Sequence, residues 1–359
     1  MKLTVYLLAI VGCLVVGCGD SEDTDSGENT GPLCGDGDDN DDDGDVDCDD
    51  EDCAAFCSDT ESETEPEEVD PDERHLLLRD EGNSVLHYVS LADESENWHV
   101  DIPQGRDIQL VGDGRVLIGT TRGYEEYDIA TGEKVAELTG YAETIAAQRL
   151  RNGNTLLVKT DWQGSDGIAL LEVNADGEVV HTIEYSDYDY ARLARQTPAG
   201  TYLVTSDTHI LELNDAGELV WEATVQDSDQ PHAWMALRLA NGTTVASCGY
   251  ARSLQIFNED GEMIQKIAGG SIKARPTFYS GLQILRNGNY VISNWQDHGP
   301  DNGNLGHQLV EYNPDGELVW TWEQDPTYIS SIQAHIVLDG LDIDKLHVEN
   351  EDGVLAPVD

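Results

Sequence analysis

The fold is decided by residues 285–322, in which LRNGNYVISN (285–294) is followed by a polar loop and then by LVEYNPDGELVWTW (309–322). Short apolar runs flank Asn287-Gly288 in the first part and Asp315-Gly316 in the second. Asn-Gly and Asp-Gly favour tight hairpin turns, because the central residues of such turns take positive φ. The stretch therefore predicts two β-hairpins that form one four-stranded antiparallel unit.

The same pair of hairpins recurs along the chain. Apolar hairpins alternate with hairpins around an acidic glycine turn, and the acidic turns centre on Gly132, Gly177, Gly217, Gly261 and Gly316. A four-stranded unit that repeats every roughly 40 to 50 residues is typical of a β-propeller, in which each blade packs on its neighbours. Complete blades are predicted at 105–139, 143–184, 190–225, 232–267 and 278–323.

The two ends of the repeat region are predicted to complete a further blade. Residues 75–102 supply three strands, and residues 332–338 supply one in the position of an innermost strand. Closing the ring in this way removes the free sheet edges. The prediction is an all-β, six-bladed propeller over residues 75–350 with a tail at 351–359, the chain from Leu341 onward trailing after closure. Seven blades is the alternative, if the tail builds more.

Composition agrees with this fold class and limits the partners. The chain has 359 residues, 35 glycines and a formal net charge of -53. Many glycines between short β-branched and aromatic runs are typical of an all-β protein with many turns. We expect no nucleic-acid partner, because phosphate binding needs a basic face. The charge suits cations, basic partners or simple solubility.

Residues 1–18 have the character of an export signal. Lys2 precedes an apolar run from Leu3 to Val16 that is too short for a typical membrane span. The run ends in LVVGC, which resembles the bacterial lipobox and implies lipidation of Cys18. Gly19 in place of Asp favours the outer membrane or cell surface, with a periplasm-facing anchor as the alternative. An ordinary signal peptide, and a poorer lipobox ending at Cys13, are the competing interpretations.

Residues 19–74 are predicted to be a disordered acidic linker, because they are too polar and too negative to bury a core. Within the linker, residues 34–57 contain alternating carboxylates around Gly44. Their spacing matches positions 1, 3, 5, 9 and 12 of an EF-hand-like loop, which predicts a Ca²⁺ site. The predicted ligands are Asp39, Asp41, Asp43, Asp47 and Asp50. A plain solvated acidic tract is the alternative.

Four cysteines, Cys34, Cys48, Cys53 and Cys57, enclose and follow these carboxylates. In an exported protein they predict two disulfides, with three pairings open. A zinc site made by the four thiolates is the competing interpretation. The segment also resembles the Cys/Asp metal-binding motif of myxobacterial-type surface proteins, which implies a cation site on a surface protein.

The propeller repeats resemble those of the arylsulfotransferase-like, PQQ-like and NHL-like propellers, where NGN-apolar and DGxVVW turns are common. The resemblance covers residues 75 to about 340. It implies the architecture, and a propeller can support many unrelated functions. In arylsulfotransferase-like blades a histidine often precedes the strand equivalent to the one after His232, and histidine and arginine side chains handle the sulfuryl group.

Ligands of propellers are expected at the channel mouth, which is lined by the loops that enter the innermost strands. Those loops hold Asp107, Gln109, Gln148, Arg195, Gln196, His232, Trp234, Arg275, Tyr279, Gln333 and His335. Gln109, Gln148, Gln283 and Gln333 recur at similar repeat positions. We expect these glutamines to hydrogen-bond one another around a wet channel, or alternatively to form a ligand cage.

Three side chains are weak catalytic candidates: His232, Arg275 and His298. With Lys273 they would make an anion site, since arginine binds anions through two parallel hydrogen bonds. The long insertion 295–307 is a second candidate region, because long loops on a rigid scaffold often carry function. Asp297, His298, Asp301, Asn302 and His307 in it are possible metal ligands. Cys248, alone in an apolar strand, is expected to be a buried free thiol.

The sequence predicts a lipid-anchored surface protein whose propeller binds or scaffolds a protein, glycan or small-molecule ligand behind a Ca²⁺-binding linker. The first alternative is an arylsulfotransferase-like or quinoprotein-like enzyme that acts at the channel mouth. The second is a purely structural surface protein. Trp221, Trp320 and Trp322 end strands at matching repeat positions, and we expect them to pack blade against blade.

Overall fold

The computed structural model describes residues 70–268 and 273–358. The predictions for the signal peptide, Cys18 and the Cys/Asp motif at 34–57 therefore lie outside the described residues. The described chain is almost entirely β-strand, with three short 3-10 helices at Pro71–Glu73, Glu94–Glu96 and Trp162–Gly164. In these residues no helix has the length and apolar character needed to cross a membrane.

Six four-stranded antiparallel sheets form the blades. The first three strands are β1 (His75–Asp80), β2 (Val85–Ser90) and β3 (Trp98–Asp101). Five blades of consecutive strands follow: β4 (Ile108–Gly112), β5 (Arg115–Thr120), β6 (Gly123–Asp128), β7 (Lys134–Leu138); β8 (Ala146–Arg149), β9 (Thr155–Thr160), β10 (Ile168–Val173), β11 (Val179–Tyr185); β12 (Ala194–Gln196), β13 (Tyr202–Ser206), β14 (His209–Leu213), β15 (Leu219–Thr224); β16 (Met235–Arg238), β17 (Thr244–Ser247), β18 (Ser253–Phe257), β19 (Met263–Ala268); β20 (Phe278–Ile284), β21 (Tyr290–Trp295), β22 (Leu309–Tyr312), β23 (Leu318–Trp322).

The ring closes through β24 (Ile332–Val337), which pairs antiparallel with β1. Leu76 faces Val337 and Leu78 faces His335 in this pairing. The chain's last inner strand thus completes the blade begun by its first three strands, in the order β24-β1-β2-β3. The prediction of six blades with this closure is confirmed, and the alternative of seven is not.

The turns and the core follow from the repeat. Gly288 takes φ +82°, which is the left-handed conformation that the β20–β21 turn needs. The inner three strands of a blade such as β20–β23 are almost fully buried, whereas its outer strand is partly exposed, and the outer strand β3 alternates towards solvent. Trp221 lies 4.1 Å from the guanidinium of Arg238 in the next blade, and Trp320 lies 4.9 Å from that of Arg74. Both tryptophans therefore contact the neighbouring blade, as expected.

The residues after β24 form a hairpin where a trailing segment was predicted. Its strands are β25 (His347–Glu349) and β26 (Leu355–Pro357), so the predicted boundary at residue 350 falls in its turn. The hairpin crosses the ends of the inner strands, because Leu346 bridges to Val111 and Val354 bridges to Ile284. It closes that end of the channel. The prediction was wrong here because these strands are three residues long, too short to show a period.

Candidate functional site

The opposite end of the channel, where the inner strands begin, is open. Two adjoining depressions of about 390 and 270 Å³ lie there and share Arg106, His298 and Gln333. A smaller cavity of about 40 Å³ lies deeper, against the C-terminal hairpin, and has room for only a few water molecules. We call the two outer depressions together the mouth. The side chains that line the mouth include Arg79, Glu81, Arg106, Tyr190, Arg192, His232, Trp234, Tyr250, Phe278, Trp295, His298 and Gln333.

The blade architecture explains why these side chains converge. Arg106 and Arg192 each lie two residues before an innermost strand, and His232 lies three residues before one. Phe278 begins β20, and Gln333 lies at the start of β24. Because all innermost strands start at the same face of the ring, residues from distant parts of the chain meet around the axis. The prediction that the loops entering these strands line the mouth is confirmed for His232, Trp234 and Gln333.

An aromatic wall forms one side of the mouth. Phe278 meets Trp234 edge to face at 5.3 Å between ring centroids, and it meets Trp295 at 5.1 Å and Tyr250 at 4.6 Å. His232 packs against the same phenylalanine at 5.3 Å. Edge-to-face pairs of this kind hold rings in fixed positions. The wall is therefore a preformed apolar surface beside the polar groups of the mouth.

Two arginines stand over the aromatic wall. The guanidinium of Arg106 lies 5.8 Å from the ring centres of both Tyr190 and Trp234. That of Arg192 lies 5.0 and 5.1 Å from the same two rings. Arg106 Nη2 also donates a hydrogen bond to the Tyr190 hydroxyl at 3.1 Å. Two positive groups are thus held close together by shared cation–π contacts.

His232 is a neutral histidine of this mouth. Burial lowers its pKa to about 4, and the nearby positive charge of Arg192 contributes in the same direction. Its Nδ1 lies 3.6 Å from Asp207, while Nε2 is buried and without a hydrogen-bond partner. At neutral pH the imidazole therefore carries no charge and one of its nitrogens is free to accept or donate a hydrogen bond.

His298 belongs to the mouth as well, on its exposed rim. Its Nδ1 lies 2.7 Å from Glu81 Oε1, and Trp295 Nε1 donates to the other carboxylate oxygen at 3.0 Å. The carboxylate thus orients the imidazole and the indole together. The predicted candidates His232 and His298 are therefore brought to one mouth.

Arg275 is not part of the mouth. Its guanidinium is exposed and forms an ion pair with Glu323, which also lies 3.1 Å from His307. Lys273 is likewise exposed. The anion site predicted from Arg275, Lys273 and the two histidines is thus not assembled. The reason is that Arg275 sits on the outer side of the loop leading into β20, against β23's end.

The insertion 295–307 does not gather its predicted metal ligands. Among residues 70–268 and 273–358 no three His, Cys, Asp or Glu side chains are placed to hold a metal ion. His298 is engaged by Glu81, and His307 by Glu323. The loop is pinned instead by Gln296, whose amide exchanges two hydrogen bonds of 2.8 Å with the backbone of Gly306.

Three of the four recurring glutamines, Gln109, Gln148 and Gln283, bind backbone and not one another. Gln283 accepts from Val337 N at 2.8 Å and donates to its carbonyl at 3.1 Å. In the same way Gln109 accepts from the amide of Arg149 at 2.6 Å, and Gln148 accepts from that of Gln196 at 2.9 Å. Each of these glutamines thus reaches the inner strand of the next blade. The predicted ring of mutually bonded glutamines is wrong, because free strand edges compete better for the amides.

Several remaining predicted residues serve the channel interior. Arg195 makes a two-fold ion pair with Asp107, at 2.6 and 2.8 Å, and reaches Glu349 of the C-terminal hairpin at 3.3 Å. His335 Nδ1 lies 2.7 Å from the Ser293 hydroxyl. The hydroxyls of Tyr279 and Tyr312 lie 2.7 Å apart. Cys248 is a buried free thiol, as predicted, and burial raises its pKa.

Twelve buried side-chain polar atoms of the described residues have no hydrogen-bond partner, and five of them belong to residues that line the mouth. The five are Arg79 Nε, Arg192 Nε, His232 Nε2, Trp234 Nε1 and Gln333 Oε1. Such atoms are uncommon in folded proteins, because an unmet buried donor or acceptor costs about 1–3 kcal/mol. At a pocket, bound water or a bound ligand can supply the missing partners.

The sequence did not point to Arg79, Arg106 or Arg192 as residues of the mouth. A signal for two of them was present, since Arg106 and Arg192 occupy the same place in the repeat, two residues before an innermost strand. Arg79 lies within β1 and gives no such signal, because a buried arginine in an apolar strand has no local pattern.

No protein-family model matches the chain, and no curated protein matches it at a significant level. Solved structures share its fold. A Bacteroides caccae protein of unknown function is 22% identical with a TM-score of 0.59, over 73% of this chain and 98% of that one. The calcium-binding protein regucalcin from Agrobacterium tumefaciens is 13% identical with a TM-score of 0.50, over 74% and 89%. A chain of a nidogen/laminin complex is 10% identical with a TM-score of 0.52, over 73% and 97%. The chain is thus a six-bladed β-propeller.

Proposed function

We propose that the protein is a binding module that takes a small-molecule ligand at the mouth of its propeller. The observation that carries the proposal is a set of five unpartnered buried polar atoms at the mouth, beside a fixed aromatic wall. The channel is blocked behind this mouth by the C-terminal hairpin, so a ligand enters from one face only. A concave, largely apolar site with a few convergent polar groups is the usual form of a small-molecule site.

We further propose that this module is presented at the bacterial cell surface. The support is the lipobox-like LVVGC ending at Cys18 and the long acidic segment between that cysteine and the propeller. The Cys/Asp motif at 34–57 would bind Ca²⁺ and stiffen this linker. This Ca²⁺ proposal concerns the linker alone, and it is supported by the spacing of the carboxylates from Asp39 to Asp50.

The binding function is tested by capturing metabolites with the detergent-solubilised full chain and identifying them by mass spectrometry. Tyr250, which is 44% exposed, lines the mouth, and Tyr185 is a partly buried tyrosine outside it. We expect at least one compound to be retained by the unchanged protein and by Tyr185→Ala, and to be lost from Tyr250→Ala. Identical sets of compounds on all three proteins would contradict the proposal.

An enzyme acting at the same mouth is the second candidate function. It is favoured by His232, whose imidazole is neutral at pH 7 and has a free nitrogen, and by the carboxylate-oriented imidazole of His298. Histidine is the side chain most often used as a general base, and it must be neutral to accept a proton, although the lowered pKa of His232 weakens it as a base. If a captured compound is converted by the protein, His232→Gln should abolish conversion and keep binding. A captured compound that is never converted argues for binding alone.

A further inference from the structure

Three arginines at the mouth have no carboxylate partner, in a chain whose net charge is -53. Arg79 is almost fully buried, and Arg106 and Arg192 are half-buried. No Asp or Glu oxygen of the described chain lies within 4.0 Å of a guanidinium nitrogen of Arg79, Arg106 or Arg192. Because carboxylates are so abundant in this chain, the lack of carboxylate partners for these three arginines is a specific feature of the mouth.

The other buried or half-buried arginines of the described chain behave differently, because each pairs with a carboxylate. Those pairs are Arg74 with Glu311, Arg115 and Arg149 with Glu126, Arg195 with Asp107, and Arg238 with Glu212. A buried guanidinium is normally paired, because removing its charge from water is unfavourable. The three arginines at the mouth are thus the exceptions. Arg106 lines both depressions, Arg79 lines the larger one and Arg192 lines the smaller one.

These arginines also retain unused donors. Arg79 Nη2 donates to the carbonyl of Pro103 at 2.9 Å, but its Nε has no partner. Arg192 Nε is likewise without one, and it is buried next to the Tyr190 and Trp234 rings. A guanidinium has five N–H donors in a fixed planar fork that matches the two oxygens of a carboxylate, sulfate or phosphate.

The mutual placement of these arginines is electrostatically unfavourable. Burial lowers the pKa of both Arg79 and Arg192 to about 10, and the positive charge of Arg106 contributes to both shifts, while Glu81 and Asp107 oppose the shift of Arg79. Both groups are still protonated at neutral pH. Arg106 therefore repels each of the other two, and a bound anion would offset this repulsion.

The carboxylates around the mouth do not form ion pairs with the three arginines. Glu81 is held by His298 and Trp295, and Asp207 lies beside His232. Glu143 is exposed at the rim. Asp107, which lies deeper, is held in the two-fold ion pair with Arg195.

We propose that Arg79, Arg106 and Arg192 bind the oxyanion group of a small amphiphilic ligand whose apolar part lies against Trp234 and Phe278. This inference rests on the proposed binding function and specifies its ligand class. The depressions of about 390 and 270 Å³ exceed what an inorganic ion needs, and the aromatic wall provides a surface for a planar apolar body. A carboxylate, a sulfate monoester and a phosphate monoester share the required chemistry.

In the experiment, the solubilised full chain is titrated with phenyl phosphate, phenyl sulfate and benzoate. Phenol, which has only the aromatic ring, and inorganic phosphate, which has only the anion, are the controls. Binding is measured by calorimetry and by the fluorescence of the mouth tryptophans. We expect at least one aryl anion to bind at least tenfold more tightly than phenol and inorganic phosphate. Among the aryl anions, the tightest binder identifies the preferred oxyanion.

Variants assign the binding to the mouth. Arg106→Gln and Arg192→Gln should each weaken the best aryl anion at least tenfold, and Arg106→Lys should weaken it less, because it keeps the charge. Arg286→Gln is the matched control, since Arg286 is exposed at the β20–β21 turn on the opposite face, and it should bind as the unchanged protein does. Thermal melts identify any variant that fails to fold. If Arg106→Gln or Arg192→Gln fails, the lysine variant at the same position replaces it.

Two results would overturn the inference. One is equal affinity of the aryl anion for Arg106→Gln, Arg192→Gln and Arg286→Gln. The other is the absence of binding by every aryl anion. If a neutral compound is captured and lost in Tyr250→Ala while the aryl anions fail, the binding function stands and the anion site is refuted.

Discussion

Gln283 of β20 binds both main-chain groups of Val337 in β24, accepting from its N–H at 2.8 Å and donating to its C=O at 3.1 Å. An innermost strand has one paired edge and one edge towards the channel. The outer edge of β24 pairs with β1, so the glutamine occupies the remaining edge. The same relation joins Gln109 to Arg149. Glutamines of the inner strands therefore link one blade to the next.

Replacing Gln283 with leucine should destabilise the propeller by about 2–4 kcal/mol, because it leaves a buried N–H and a buried C=O of Val337 without partners. Urea unfolding followed by tryptophan fluorescence measures the change. Gln230→Leu is the control, since Gln230 is exposed and its loss should alter the free energy of unfolding by less than about 0.5 kcal/mol. Equal effects of the two substitutions would contradict the assigned role.

His335 should make stability depend on pH. Burial lowers its pKa to about 3, with Arg74 contributing, so the folded protein keeps this imidazole neutral. Below the ordinary value of about 6.5 the unfolded chain binds a proton that the folded chain does not. The free energy of unfolding is therefore not reduced by His335 above about pH 6.5, and it falls as the pH falls from there towards 3. Within this range the free energy of unfolding changes by about 1.4 kcal/mol per pH unit for this one group. His232, with its pKa of about 4, acts in the same direction.

Unfolding in urea at pH 7, 6 and 5 tests this dependence through the His335→Asn variant. Asparagine keeps a polar atom near the Ser293 hydroxyl and has no proton to take up in this range. We expect the free energy of unfolding of the variant to fall less steeply with decreasing pH than that of the unchanged protein. His99→Asn, at an exposed position on β3, should keep the original slope. Parallel slopes for His335→Asn and the unchanged protein would rule out this source of pH sensitivity.

The fold could be predicted from the sequence because each hairpin of a propeller is specified by residues that are close together in the chain. Turn dipeptides such as Asn287-Gly288 and the apolar runs beside them define each hairpin, and their repetition defines the blades. The closing strand β24 was predictable as well. The repeat region begins with three strands and ends with one, and only their pairing in one blade leaves no incomplete sheet.

The contents of the mouth were less predictable, because they depend on distances between blades. The position of Gln283 towards the channel was foreseeable, whereas its partner Val337 was not, since nothing in the local pattern says how near the next strand lies. Arg275 precedes an innermost strand as His232 does, yet it turns outward to Glu323. Which side of an entering loop faces the axis is decided by tertiary packing.

Cys18 should be required for membrane attachment. Replacing it with serine removes the thiol that a lipobox modifies, and the protein should move from the membrane fraction to the soluble or uncleaved pool and lose incorporation of labelled palmitate. Cys13→Ser is the matched control, because Cys13 lies in the same apolar run and ends the poorer motif. Loss of labelling in Cys13→Ser but not in Cys18→Ser would assign the anchor to the other cysteine. Unlabelled protein in every case would contradict lipidation.

The acidic motif should bind Ca²⁺ independently of the propeller. Titration of the full chain with Ca²⁺ by calorimetry should give one saturable event, and Asp43→Asn should weaken it roughly tenfold or more, because Ca²⁺ affinity follows the number of charged ligands in the loop. Asp59→Asn removes the same charge outside the predicted ligand set and should leave the event unchanged. Equal weakening by both substitutions would mean that Ca²⁺ responds to the general charge of the linker. In that case the alternating carboxylates from Asp39 to Asp50 would be a solvated acidic tract and not a site.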